Sequence, residues 1–292
     1  VALTDLAQQL ARRGIELIVM PIPAKPSVHP EFLGAGFLGA EAPVDRLAFD
    51  NPSMDEFERR LAEAGLRSVS VRGLFAAADR NEPLYLGTDT HWTPRAMALA
   101  ANALADEIRP LLPAETGRPE RPTERITRGE RTVSNLGDTT RMLRLEHPER
   151  LFPPENAVIE TVSHVGDIGG DEGPARVLFL GDSFANIYSL PGMGWGTEAG
   201  LVEQLEFELQ EPVEALRIND NGSFATRQAL RRSLSQGQDP LAGKRVVVYQ
   251  FAARELSQGD WKTIELPDPG ETPRVSGGEQ ATRVTGILRA IA

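Results

Sequence analysis

Ser183 sits in the stretch GDSFANIY (181–188), directly after the apolar run Val177–Leu180. Such a run reads as a buried strand, and the small Gly-Asp-Ser after it reads as a turn into a helix. The first backbone N–H groups of a helix have no partner within it, and the helix dipole favours negative charge there. Both effects suit a serine alkoxide and the oxyanion formed when it attacks an ester. The plainer reading is an Asp-Ser N-cap. A nucleophilic serine needs a base, and a histidine base needs an orienting group. The histidines are His29, His91, His147 and His164. His91 lies in GTDTHWTP (87–94), two residues after Asp89. In an extended or turn segment, residues i and i+2 face the same way. Asp89 can then hold one imidazole nitrogen and leave the other for Ser183. For this pair alone, a surface turn with a capping Asp or Thr is the competing reading. His29 follows a proline-containing loop and reads as structural. His147 and His164 fall in an irregular stretch and read as solvated.

Asp89 and His91 with a third ligand would also suit Zn²⁺. No HxH, HExxH or EF-hand pattern accompanies them, so no metal is expected. No GxxxxGK[ST] phosphate loop occurs either, and no nucleotide cofactor is expected.

The elements that must position these residues follow from periodicity. Leu3, Leu6, Leu10 and Ala11 recur at helical spacing, and Gly14 ends that helix. IELIVMPIP (15–23) reads as a buried strand, residues 54–65 as a helix, RSVSV (67–71) as a short strand and 72–79 as another helix. A further helix starts at Pro94, where a missing N–H costs nothing. Later, strands are expected at 175–180, 213–218 and 244–251. Helices are expected from Phe184, at 197–209 and at 223–234. Runs of Val, Ile and Leu without strict alternation fit parallel strands covered on both faces. The pattern predicts an α/β fold: three α/β/α layers around about five parallel strands. Between the two halves, 113–131 is rich in Pro, Arg, Glu and Thr and reads as a loop. Periodicity stays weak to 175, although AVIETVSHV (157–165) alternates like a strand or hairpin arm. The expectation is one domain over 1–292 with an irregular insert at about 113–175.

Composition bounds the function. The chain has 292 residues, 40% apolar and 25% charged, with a net charge of −11. That balance argues against nucleic acid and against anionic lipid, which require clustered Lys and Arg. There is no cysteine, hence no disulfide, thiolate metal site or cysteine nucleophile. No apolar run reaches the length of a membrane span. The chain begins at Val1, without Met or a signal-peptide pattern, and reads as a fragment with any targeting segment removed.

Taken together, DTHWTP (89–94) and LFLGDSFAN (178–186) are more specific than either alone. In that order they resemble the SGNH-hydrolase-like polysaccharide O-acetyltransferases of the alginate O-acetyltransferase AlgJ/AlgX type. Ordinary SGNH esterases carry the Ser motif first. Similarity extends to LARRGIELIVMPIPAKPSVHPEFL (10–33), NLGDTTRML (135–143), NDNGSFATRQAL (219–230) and VVVYQFAAREL (246–256), covering about residues 3–256. The resemblance implies an SGNH fold and acetyl transfer onto an exopolysaccharide outside the cytoplasm, in the periplasm or beyond. It implies Ser183 as nucleophile, His91 as base and Asp89 as orienter. The oxyanion hole would use the Ser183 and Gly222 N–H groups; a plain Asn-Gly turn is the alternative for Gly222. The family's oxyanion Asn has no counterpart near 250–254, which leaves Gln250, Arg254, Asn186 and Asn221 as candidates. Arg254 is also a candidate for a sugar carboxylate, or a surface cation. Lys25 and Tyr188 are candidates for the cleft wall, and Trp92 for stacking on a sugar or packing beneath His91. Implied partners are a polysaccharide acceptor, a membrane acyltransferase supplying acetyl groups, and exopolysaccharide secretion proteins. Membrane anchoring through a segment outside this chain stays open. Two alternatives share these residues: a carbohydrate acetylesterase, and a non-catalytic polysaccharide-binding scaffold.

Overall fold

The computed structural model describes residues 1–33, 50–79, 81–113, 126–164 and 175–267. The first half supplies α1 (Ala2–Ala11), β1 (Glu16–Ile22), the single turn α2 (Lys25–Val28), α3 (Ser53–Glu63), β2 (Arg67–Ser68), α4 (Val71–Ala77) and α5 (Pro94–Ile108). An antiparallel ribbon of β3 (Ile126–Asn135) and β4 (Glu155–His164) follows, with the short α6 (Asp138–Met142) between its arms. The second half supplies β5 (Val177–Gly181), α7 (Ser183–Asn186), α8 (Leu201–Leu209), β6 (Val213–Arg217), α9 (Ala225–Ser235), β7 (Val246–Ala252) and α10 (Glu255–Gln258).

Five parallel strands form the central sheet in the order β2-β1-β7-β5-β6. Numbered from β5 onward through β6, β7, β1 and β2, this is the order 2-1-3-4-5 of a common doubly wound sheet. The chain is thus a circular permutation of that topology. β5 and β7 flank its switch point, where ligands bind beyond the carboxyl ends of the strands.

The strand residues alternate between two apolar layers. Ile18, Met20, Phe179 and Val248 pack on the side of α4, α5 and α8. Leu17, Val19, Leu180 and Val247 pack on the side of α1, α3 and α9. α5 shows why this sequence becomes a helix. Thr93 caps it by accepting from Ala96 N, and Pro94 opens its first turn. Ala96, Ala100, Ala101, Leu104, Ala105 and Ile108 line its buried face, and the alanines leave room for close packing against α8.

Three sequence expectations require correction. The insert is not irregular throughout: residues 126–131 of β3 fall in the segment that composition marks as a loop, and the whole of β3 pairs residue for residue with β4. This strand exposes most of its polar length, so its apolar signal is weak. Pairing and side chains such as Arg128, which packs 3.8 Å over the Phe207 ring and bonds Glu208 at 2.7 Å, hold it instead. Residues 114–125 and 165–174 of the insert lie outside the described set. The helix expected from Phe184 is a single turn. The expected strand 67–71 pairs only at Arg67 and Ser68 before α4 begins.

Candidate active site

Ser183 opens α7, directly beyond the end of β5 at the switch point. Asp182 is the N-cap: its Oδ1 accepts from Phe184 N at 3.0 Å and from Gln250 Nε2 at 2.8 Å. Its Oδ2 accepts from Ala252 N at 2.7 Å, and its own N–H donates to Gln250 Oε1 at 3.0 Å. The serine turn is therefore riveted to the neighbouring strand β7. Burial raises the Asp182 pKa, and these hydrogen bonds oppose the rise.

The base arrives from a loop between α4 and α5. Leu86 N donates to His91 O and Thr93 N to Leu84 O, both at 3.0 Å. Lys25 reaches under this loop and donates from Nζ to the carbonyls of Leu86, Gly87 and Asp89 at 2.5, 2.9 and 2.9 Å. Burial lowers the Lys25 pKa, while Glu155, Asp89 and Asp138 favour its charge. So held, the loop places His91 Nε2 2.8 Å from Ser183 Oγ and His91 Nδ1 2.6 Å from Asp89 Oδ1. Ser183, His91 and Asp89 are all buried.

Asp89 accepts two further bonds at Oδ2, from Trp195 Nε1 at 2.8 Å and Asp138 N at 3.0 Å. Its burial alone would raise its pKa. The bonds and charge of His91, with Trp195 and Asp138 N, outweigh that and bring it down to about 2. Asp89 is then ionised at neutral pH and can only accept. Nδ1 of His91 carries the shared proton, and Nε2 presents a lone pair to the serine hydroxyl. That is the tautomer a general base requires.

Neither Trp195 nor Asp138 emerges from the sequence with a role. Trp195 lies in GMGWG (192–196), where Gly194 and Gly196 have φ of +79° and +98°. A Cβ at Gly196 would meet Ile159 at 2.5 Å and one at Gly194 would meet Asn135 at 2.7 Å. The glycines thus let the loop fold tightly onto the β3–β4 ribbon and bury the indole. A lone Trp between glycines was the available signal. Asp138 sits where the ribbon's first arm ends; its carboxylate accepts from Thr90 N at 2.7 Å and Thr90 Oγ1 at 2.5 Å.

Asp89, His91 and Asp138 each bring one ligand atom within 4.8 Å of the others. Both ring nitrogens of His91 are already taken by Asp89 and Ser183, so this donor set serves the proton relay.

Several expected cleft residues face elsewhere. Tyr188 is buried and donates to Trp92 O at 2.7 Å. Trp92 is buried too; its Nε1 donates to Phe184 O at 3.1 Å and its ring meets Phe184 edge-on. Of its two readings, packing is the one realised. Lys25 spends its ammonium on the loop carbonyls described above. Gln250 commits both ends of its amide to Asp182, and Asn186 donates to Asn219 Oδ1 at 2.7 Å. Asn221 is exposed, with φ +54°. Gly222 does lie beside the serine turn: a Cβ there would come within 3.0 Å of Asp182 Oδ2. Arg254 is exposed at the carboxyl end of β7, and its charge acts on Asp182. His29 is structural, accepting from Leu84 N at 2.9 Å. His147 is exposed beside Glu149, but His164 is only partly exposed and pairs with Glu206.

Residues 1–253 match the family model described as "SGNH hydrolase-like domain, acetyltransferase AlgX". The chain belongs to this AlgX-type SGNH-hydrolase-like family. Among similar proteins, the probable alginate O-acetylase AlgJ of Pseudomonas fluorescens is 30% identical over 167 residues, 56% of this chain and 39% of that protein. The Pseudomonas aeruginosa protein of the same description is 29% identical over 212 residues, 69% of this chain and 51% of that protein. The chain thus spans about half or less of the length of these relatives. The O-acetyltransferase domain of Pseudomonas putida AlgJ superposes with a TM-score of 0.66 at 22% identity, covering 89% of this chain and 82% of that one. Pseudomonas aeruginosa AlgX superposes with a TM-score of 0.60 at 20% identity, covering 88% and 57%. The structural likenesses establish the SGNH-like α/β fold of this AlgX-type chain.

Proposed function

We propose that this chain is a serine O-acetyltransferase that moves an acetyl group onto an exopolysaccharide hydroxyl through an acetyl-serine intermediate. The observation that carries this reading is the continuous relay Ser183 Oγ–His91 Nε2 and His91 Nδ1–Asp89, at 2.8 and 2.6 Å. His91 Nε2 takes the Ser183 proton while Oγ attacks the carbonyl carbon of the acetyl donor. Negative charge moves to the carbonyl oxygen. The N–H groups of Ser183 and Gly222 receive it; neither donates a hydrogen bond within the described residues. Collapse expels the donor's alcohol, which takes its proton from His91. A sugar hydroxyl then gives its proton to His91, attacks the acetyl-serine and leaves acetylated, restoring Ser183.

Arg254 is the candidate for a carboxylate on the acceptor, because a guanidinium matches a carboxylate bidentately and lies at the rim beside the serine turn. A polyuronate acceptor agrees with relatives described as alginate O-acetylases. An extracytoplasmic site of action, a membrane acyltransferase as acetyl source and secretion proteins as partners belong to the same reading. Among the described residues no helix is long and apolar enough to cross a membrane.

Ser183→Ala tests the assignment. Hydrolysis of p-nitrophenyl acetate should fall by at least about 10³-fold. Turnover within a few-fold of wild type removes Ser183 as nucleophile. With water as acceptor the same relay makes an acetylesterase. Incubation with an acetyl donor and oligouronate separates the two: acetylated oligosaccharide marks the transferase, acetate alone the esterase.

A further inference from the structure

Arg227, in the first turn of α9, is only 1% exposed. Burying a cation costs several kcal/mol unless good partners compensate. Here its hydrogen-bond acceptors among the described residues are all neutral oxygens, with the Trp261 and Tyr249 rings facing the guanidinium at 5.6 and 5.9 Å. Nε and one terminal nitrogen donate to Ser223 O, and Nε also lies 3.3 Å from the Tyr249 hydroxyl. The terminal nitrogens donate to the carbonyls of Lys262 at 2.8 Å and Asp260 at 3.3 Å. The segment bearing those carbonyls reaches Arg227 because Gly259 has no side chain: a Cβ there would lie 2.3 Å from Ser223 Oγ.

The groups held by this cation surround one short stretch of backbone. Tyr249 OH donates to Gly222 O at 2.7 Å, and Ser223 N donates to Glu255 Oε2 at 3.1 Å. These are the two ends of a single peptide unit. The preceding peptide is fixed from its carbonyl side, where Asn221 O accepts from Phe224 N and Ala225 N, both at 2.8 Å. Its other end is the Gly222 N–H, which must point away from α9 because a trans peptide sets N–H and C=O in opposite directions. The backbone groups of both peptides flanking Gly222 are thus anchored, while the Gly222 N–H itself is left without a partner among the described residues.

We propose that Arg227 and Tyr249 are positioning residues that hold the Gly222 N–H rigidly toward the oxyanion beside Ser183. The inference rests on the acetyl-serine reading above. It also accounts for the buried charge: the cation lies under the turn where negative charge develops, and a donor held in advance needs no reorganisation during reaction. Burial pushes the Tyr249 pKa up to about 12, despite Arg227 opposing it. The phenol therefore remains a donor to Gly222 O throughout the assay range.

The test uses Tyr249→Phe and Arg227→Lys in the full chain, with p-nitrophenyl acetate as substrate and methylboronic acid as probe. Ser183 Oγ adds to boron while its proton passes to His91. The resulting tetrahedral boronate anion occupies the oxyanion position. Each variant should lose roughly 10- to 100-fold in kcat, with KM changed less than about 3-fold. The boronate inhibition constant should rise by the same factor as kcat/KM falls. A role confined to stability would lower the melting temperature while leaving kcat and boronate inhibition at wild-type values in the cold. That outcome overturns the proposal. If Arg227→Lys does not fold, Tyr249→Phe decides alone, since it keeps the ring and removes only the hydroxyl. Ester turnover surviving in Ser183→Ala overturns the acetyl-serine reading itself. Turnover lost there but intact in Tyr249→Phe overturns only the positioning role.

Discussion

Asp89→Asn is the sharpest probe of the relay, because four donors and no acceptor converge on this side chain. His91 N and His91 Nδ1 address Oδ1, while Trp195 Nε1 and Asp138 N address Oδ2. An amide offers one accepting oxygen, so its NH₂ must oppose two of these donors. Turned toward Trp195 and Asp138, the NH₂ strands two buried N–H groups at about 1–3 kcal/mol each. Turned toward His91, it strands only the backbone N–H, because the imidazole can move its proton to Nε2 and accept at Nδ1. The second arrangement costs less, so it prevails. It leaves Nε2 protonated and unable to take the Ser183 proton. By analogy with the same change in a serine protease triad, kcat should fall by about 10⁴-fold, or about 5 kcal/mol of activation free energy. The assay is p-nitrophenyl acetate hydrolysis from pH 5 to 9. Stability supplies an independent reading. A carboxyl at about 2 instead of the ordinary 3.8 contributes on the order of 2 kcal/mol to the folded state. The folded pKa is depressed, so this contribution is complete above about pH 4 and disappears as pH falls toward 2. Urea unfolding of the variant should lack that component of acid sensitivity. A variant retaining activity within about 10-fold of wild type, with an unchanged pH profile, refutes the reasoning.

Other consequences follow from the groups around Asp89. Trp195→Phe keeps the aromatic body but removes a hydrogen bond to a buried carboxylate, and should cost about 1.5–3 kcal/mol in urea unfolding. It should also raise the Asp89 pKa, which moves the onset of acid unfolding to higher pH. Gly137→Ala should be among the most damaging single changes: φ is +75° and the new Cβ would sit 2.2 Å from Thr88 O. A loss of at least about 3 kcal/mol is expected, with kcat reduced in whatever folds because Asp138 N is drawn off Asp89. Thermal melts and ester kinetics on the same preparation check both parts.

Much of the site was legible because its chemistry is local in sequence. Asp89 and His91 are two residues apart in a tight loop, and Ser183 follows an unmistakable buried strand into a helix N-terminus. The strands and helices of the sheet were equally readable, since full burial on both faces selects continuous Val, Ile and Leu runs. The targets of long polar side chains were not legible. Lys25 and Gln250 offer the right atoms for substrate or oxyanion, yet both spend them on the fold's own backbone and carboxylate. Tyr188 likewise spends its hydroxyl on Trp92 O, while Trp92 takes the packing role that was one of its two readings. Composition cannot tell a cation facing solvent from one beneath three carbonyls.

The sequence by itself determined which residues could react and which elements would carry them, because residue type and short-range periodicity are local properties. Strand order, the ribbon of β3 and β4, and the donors Trp195 and Asp138 were decided only by tertiary structure. Their physical basis is non-local: a polar strand is stable only beside its partner, and an indole becomes a ligand for Asp89 only when glycine-rich backbone 106 residues away folds back onto the ribbon.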